Sequence, residues 1–289
     1  MGSFISDFRK LIKLRLTSLV VFSASVSFLI GSKEQGDINW TNWLILTIGG
    51  FLVTGCANGF NELIEKDLDK LMSRTSDRPL PSGRMTTGQA LVLSLIMGIA
   101  GTLILVRLNF LTGVLSVFSI FLYAFLYTHM KRKSPVAVFV GAIPGALPPL
   151  IGYFAAFDNP RISWIPIILF LIQFVWQFPH FWAIAWVLDE DYKKAGFRLL
   201  PTTKRDKTSA LINFISTLIL IPVSLMPTFY NFGGYVIAGV SLICGLIFAW
   251  FAFKLYQNLE ITAAKKVMYG SFLYLPIVQL TLLFDFIVR

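Results

Sequence analysis

The stretch 58–84, NGFNELIEKDLDKLMSRTSDRPLPSGR, decides how the rest of the chain is read. It carries five of the fifteen acidic residues of a sequence that is 56% hydrophobic. The apolar run 44–57 leads directly into it, so these acids stand at the end of a membrane helix. Asn58, Asn61, Glu65 and Asp69 recur at i, i+3, i+7 and i+11, which puts all four on one helical face. Oxygen-bearing side chains on one face, with Arg74, Arg78 and Arg84 close behind, point to ligands for a metal and guanidiniums for an anion. A solvated, charged helix end is the plainer alternative, and a second loop of the same kind weighs against it.

Working outward, mean hydropathy is +0.72 and only 14% of residues are charged, which indicates a polytopic membrane protein. Nine apolar stretches are long enough to span, at roughly 15–31, 41–64, 89–106, 109–128, 135–157, 162–187, 208–229, 233–253 and 267–287. With a cytoplasmic N-terminus and alternating sides, 21 of the 25 Lys and Arg residues fall on inner segments. Lys33, Arg107, Arg161 and Arg289 fall outside, so the C-terminus is expected to be external. The net charge of +10 then reflects topology, with no nucleic-acid stripe in it. Cys56 and Cys244 lie in separate spans without metal-type spacing and read as packing residues. Residues 1–14 read as a cytoplasmic amphipathic segment, with Phe4, Phe8, Leu11 and Ile12 facing lipid. The apolar run after them lacks a clear cleavage site and reads as a retained first helix.

Further along, Thr86 and Gln89 form a capping box that opens the third span. The fifth span holds Gly141, Pro144, Gly145, Pro148, Pro149 and Gly152, a run expected to be too broken for a straight helix. In the sixth, Gln173, Gln177 and His180 make a polar stripe at i, i+4 and i+7 within FLIQFVWQFPHFWAIAW. Polar groups in a span usually face the bundle interior. Interhelical hydrogen bonds account for the glutamines as readily as function does, whereas His180 reads as functional.

The segment DEDYKKAGFRLLPTTKRDKTSAL, moved back by 120 residues, overlays the first acidic stretch. Asp189 falls on Asp69, Arg198 on Arg78, Leu200 on Leu80, Pro201 on Pro81, Lys204 on Arg84 and Ala210 on Ala90. This implies a four-helix internal repeat whose two copies share an orientation across the membrane. Two acidic loops, 65–88 and 188–207, would then converge on one cavity at the cytoplasmic mouth of a single domain spanning 1–289. Carboxylates there need compensation, and an all-oxygen set of Asn61, Glu65, Asp69, Asp189 and Asp191 suits Mg²⁺. Mg²⁺ completes its shell with phosphate oxygens, and Arg74, Arg78, Arg84, Lys131, Arg132, Lys193 and Lys194 could hold the remainder of a diphosphate. A diphosphate at the mouth of an apolar, aromatic-rich cavity implies a lipid tail pointing inward and carbocation chemistry shielded from water.

NELIEKDLDKLMSRTSDRP (61–79) resembles the first aspartate-rich motif of the UbiA-type intramembrane prenyltransferases, with Asn61, Glu65 and Asp69 at the three motif positions. Glu65 stands where the usual motif has Asp, and Asp189-Glu190-Asp191 is a reduced second motif. RTSDRPLPSG, YTHMKRKSPVAVFVGAIPGALPPLIGY, WQFPHFWAIAW and DYKKAGFRLLP resemble, more narrowly, the haem-farnesylating branch of that superfamily. The resemblance covers nearly the whole chain. It implies an all-α bundle of nine spans in the inner membrane and transfer of farnesyl from farnesyl diphosphate to a vinyl group of haem B, a substrate here and not a cofactor. It also implies water addition to give haem O, Mg²⁺ assistance, and catalytic roles for Asn61, Glu65, Asp69 and Asp191. Asn58 joins the diphosphate contacts, while Trp176, Gln177 and His180 become candidate porphyrin contacts. Haem A synthase or oxidase assembly factors are implied partners. The rival readings are a prenyltransferase for an aromatic or quinone precursor and a polytopic transporter.

Overall fold

The computed structural model describes residues 2–288, so Arg289 of the outer-charge tally lies outside the described residues. Among these there is no strand. A short helix α1 (Gly2–Leu11) precedes α2 (Leu14–Gln35), α3 (Trp40–Asp69), α4 (Thr87–Val106) and α5 (Phe110–Met130). Then come α6 (Ala137–Phe154), α7 (Trp164–Val187), the short α8 (Asp189–Lys194), α9 (Lys207–Phe229), α10 (Tyr235–Asn258) and α11 (Ile261–Val288). Nine of the described helices, all but α1 and α8, are long and apolar enough to cross a membrane. Their outward faces are apolar, as Ile99, Leu103 and Leu273 show by their exposure.

The helix starts follow from local chemistry. Asn39 accepts from Asn42 N at 3.0 Å to open α3. Thr86 and Gln89 close both bonds of the expected capping box on α4, and Asp206 caps α9 through Ser209 N at 2.7 Å. Lipid tails are as apolar as leucine, so helices here associate through close packing and hydrogen bonds more than through burial itself. Gly152 illustrates the first: a Cβ there would lie 2.0 Å from the Ala24 carbonyl oxygen, so its absence lets α6 press onto α2.

Three expectations need correction. The proline-rich fifth span is a continuous helix, α6. Pro149 lacks the N–H that would bond the Gly145 carbonyl, and Gln173 Nε2 supplies a donor to that oxygen at 2.7 Å. Gln177 Nε2 likewise donates to Ala142 O at 2.9 Å. Second, Leu11 and Ile12 do not face lipid. They are 0% and 2% exposed, Leu11 packed with Leu80, Met85 and Ala90 and Ile12 with Cys56 and Met97. Third, the first acidic loop begins after Asp69 and not at 65, because Glu65 and Asp69 are buried, paired residues of α3 that prolong the helix. The second loop is partly helical, over Asp189–Lys194, and ends where α9 begins at Lys207.

Candidate active site

The inward face of α3 forms one wall of the site. Asn58, Asn61, Glu65 and Asp69 are all buried, and each has a distinct partner. Asn58 Nδ2 donates to Ile12 O (3.1 Å) and Thr17 Oγ1 (3.2 Å), tying α3 to the start of α2. Asn61 Nδ2 donates to Glu65 Oε2 (2.9 Å) and Thr128 Oγ1 (3.0 Å), while its Oδ1 accepts from Lys13 Nζ at 2.5 Å. Glu65 Oε1 accepts from Lys131 Nζ at 2.8 Å. Asp69 Oδ2 accepts from Arg78 Nη1 at 2.6 Å, and its other oxygen, Oδ1, is buried with no protein partner.

An adjoining wall comes from α5. A π-helical turn over Phe121–Tyr127 brings Tyr123, Tyr127 and, just beyond, Lys131 to the cavity. Such turns are common at functional sites. Lys131 Nζ stands 4.7 Å from the Tyr127 ring centroid and 5.4 Å from that of Phe197. Burial pulls the Lys131 ammonium down, but Glu65, Tyr123 and Tyr192 together outweigh this and leave its pKa above the usual lysine value. For Lys13 burial wins, reinforced by the nearby charges of Arg78 and Lys131, and its pKa falls well below the usual value.

The second acidic loop docks onto the first. Asp191 accepts from Ser73 Oγ (2.7 Å), Arg74 N (3.3 Å) and Lys194 Nζ (2.9 Å). Ser73 first, then Lys194, hold its carboxyl below the usual aspartate range. Asp189 pairs with Lys193 at 2.7 Å and Arg205 at 3.4 Å. Arg198, which the 120-residue offset sets against Arg78, instead places its backbone N–H on Lys131 O at 2.8 Å.

Of the candidate residues, Asn58, Asn61, Glu65, Asp69, Arg74, Arg78, Lys131, Trp176, Gln177 and His180 line one cavity of about 470 Å³. The structure does not bring Asp189, Asp191, Arg132, Lys193 or Lys194 to its wall. Arg132, Lys193 and Lys194 are exposed, Asp191 fastens the second loop to the first, and Asp189 pairs within the second. Arg84 is also absent from the wall, since Asp7 (2.8 Å) and Asp77 (2.9 Å) hold it elsewhere. Sequence reasoning missed Lys13, Tyr123, Tyr127 and Tyr192 as lining residues. Tyr123, Tyr127 and Lys131 recur at i, i+4 and i+8, a signal that was available.

At its mouth the cavity carries Lys13, Arg74, Arg78 and Lys131 against only Glu65 and Asp69, an excess of cations suited to a polyanion. Deeper, the wall is mostly apolar and aromatic, and its volume falls in the usual range for a small-molecule site. His180 stacks on Trp176 with centroids 4.3 Å apart, and its Nδ1 lies 2.8 Å from Ser271 Oγ. That hydroxyl donates its proton to Met268 O at 2.6 Å, so His180 Nδ1–H is the donor and Nε2 keeps its lone pair. Among the described residues no group of three or more His, Cys, Asp or Glu side chains is gathered as a ready-made metal cage. The free Asp69 Oδ1 and the all-oxygen donor set fit Mg²⁺, which takes one or two carboxylates and fills its shell from water and phosphate.

The sequence pattern of the UbiA prenyltransferase family matches residues 20–275. The protoheme IX farnesyltransferase of Cytophaga hutchinsonii is 46% identical over 287 residues, 99% of each chain. The protein of the same name from Christiangramia forsetii is 40% identical, over all of this chain and 96% of its own length. Among solved structures, a digeranylgeranylglyceryl phosphate synthase superposes with a TM-score of 0.82 at 21% identity, covering 99% of both chains. A UbiA homolog from Archaeoglobus fulgidus bound to GPP and Mg²⁺ superposes at 0.69 and 14% identity, covering 98% of this chain and all of its own.

Proposed function

The chain belongs to the UbiA prenyltransferase family, and from that premise we propose that it transfers the farnesyl group of farnesyl diphosphate to a vinyl group of protohaem IX. Water addition then gives haem O. The observation that carries this reading is a cation-rich mouth on an apolar, aromatic-lined cavity in a chain 46% identical to a protoheme IX farnesyltransferase. The mouth supplies what a diphosphate needs, and the deeper wall supplies what a prenyl chain and a porphyrin need.

In this reading Arg74, Arg78 and Lys131 bind the diphosphate, and their charges stabilise it as the allylic C–O bond breaks and the bond electrons leave with it. Asp69 Oδ1, with Glu65 and Asn61, would hold a divalent cation, which when bound draws further charge from the departing phosphate. Tyr123, Tyr127, Trp176 and Phe181 line the cavity with aromatic surface that would stabilise an allylic cation and exclude premature water. His180, with its free Nε2, is the candidate contact to haem iron, and Trp176, stacked on the imidazole, lines the cavity beside it. Asp191 ties the second loop to the first through Ser73 and Arg74, while Asp189 pairs within its own loop with Lys193 and Arg205. The transporter reading is disfavoured because the buried acids of the site cluster at one end of the bundle and not near its middle.

The charge bias supports cytoplasmic loops bearing these residues and an external C-terminus, and the family resemblance supports the inner membrane. The starts of α4 (Thr87) and α9 (Lys207), 120 residues apart, support a parallel repeat joining two halves of one domain.

Substrate binding tests this assignment. Arg78→Ala is expected to weaken farnesyl diphosphate binding and spare haem binding, whereas His180→Ala lowers haem affinity or shifts the Soret band and spares the diphosphate. An unchanged haem spectrum and affinity in His180→Ala removes this histidine from the site.

A further inference from the structure

Lys13 stands just ahead of the first span, yet its Nζ reaches the centre of the site, 2.5 Å from Asn61 Oδ1. Asn61 is neutral, while the two carboxylates nearby already have cations: Lys131 on Glu65 and Arg78 on Asp69. Among the described residues Lys13 makes no ion pair, so it is a cavity-lining amine without an anionic partner.

Its position is over-determined. Lys13 has φ 49° and ψ 58°, a left-handed conformation that a residue with a Cβ adopts only under constraint. Ile12 O, immediately before it, accepts from Thr17 Oγ1 (2.6 Å) and Asn58 Nδ2 (3.1 Å). Leu11 and Ile12 are buried beneath. The far side of α1 is held by ions: Arg84 Nε to Asp7 Oδ1 at 2.8 Å, Arg84 Nη1 to Asp77 Oδ1 at 2.9 Å, and Lys10 Nζ to Asp77 Oδ2 at 2.6 Å. Arg84 and Asp77 belong to the same loop that carries Arg74 and Arg78 into the cavity mouth. The helix that aims Lys13 is therefore fastened to the loop that aims the arginines.

We propose that Lys13 is a further diphosphate-binding residue, and that α1 is a clamp that sets it in place, with Asp7 and Arg84 as positioning residues. This rests on the diphosphate reading of the cavity mouth. It gives Arg84 a role through Lys13 and not through contact with phosphate. The N-terminal helix thereby becomes part of the substrate site and not a membrane anchor alone.

The test is equilibrium binding of farnesyl thiolodiphosphate, an unreactive analogue, to the full-length protein in detergent with Mg²⁺. Lys13→Met is expected to weaken binding about tenfold to a hundredfold, the range of a hydrogen bond to a charged group, and Lys13→Arg to restore most of it. Asp7→Asn separates the clamp from simple electrostatics. Removing a negative charge near the site should tighten anion binding by Coulomb's law, whereas loosening the clamp weakens it by at least about threefold. Asp7 lies outside the cavity wall, so this variant keeps the test open if Lys13→Met cannot be purified folded. Unaltered binding in Lys13→Met overturns the role of Lys13, and tighter binding in Asp7→Asn overturns the clamp. No binding by the unaltered protein overturns the diphosphate reading itself, and this inference with it.

Discussion

Replacing Asp69 with asparagine removes one charge and almost no volume, which makes it the sharpest single perturbation of the site. Asp69 is 0% exposed; one oxygen bonds Arg78 at 2.6 Å and the other is buried and unpartnered. The substitution weakens a charge-assisted bond worth about 1.5–3 kcal/mol and leaves Arg78 without its counter-ion. Removing one partner from a fully buried pair costs roughly 3–5 kcal/mol. The Arg78 side chain is 16% exposed and lines the cavity, so the lower end of that range is the better guide. If about 3–4 kcal/mol of this acts on the transition state, turnover falls roughly two to three orders of magnitude at 1.36 kcal/mol per factor of ten. The assay is haem farnesylation by purified protein at saturating Mg²⁺, beside a melting curve in detergent that confirms the variant is folded. A second substitution, Arg78→Gln, made on top of Asp69→Asn should cost much less than it does alone, because the pair acts together. If Asp69→Asn keeps more than about a tenth of the turnover, Asp69 is neither a metal ligand nor the anchor of Arg78.

Gln173→Leu should lower stability by about 1–3 kcal/mol, because it orphans the Gly145 carbonyl that Pro149 leaves free; thermal melting in detergent reads this, and an unchanged midpoint contradicts the account of α6. Reporter fusions after residues 84, 133 and 207 should read cytoplasmic and a fusion after residue 36 external. A cytoplasmic reading at the C-terminus would undo the alternation of nine spans.

The nine spans and the polar wall of α3 were legible because membrane helices advertise themselves by length and hydropathy, and because polar residues at helical spacing share a face. Asn58, Asn61, Glu65 and Asp69 do line one wall together, as that spacing required. What failed was everything decided by partners distant in sequence. Arg84 looked like a phosphate ligand until Asp7, 77 residues earlier, was seen to hold it. Lys13 counted only toward topology, since nothing local shows that a left-handed turn carries it to Asn61. The prolines of α6 implied a broken helix because nothing local shows that Gln173, 28 residues beyond Gly145, donates to the carbonyl that Pro149 leaves free. Asp189 and Asp191 had the composition of ligands, but they lie off the cavity wall, Asp189 paired with Lys193 and Arg205 and Asp191 with Lys194 and Ser73.

The most direct measurement of the central claim is the mass of the haem recovered after purified protein is incubated with haem B, farnesyl diphosphate and Mg²⁺. The account predicts a product heavier than haem B by one farnesyl group and one hydroxyl group, formed with release of diphosphate and a proton and lost on chelation of the metal. Recovery of unaltered haem, with the farnesyl group instead on an added aromatic acid or quinone precursor, would contradict it.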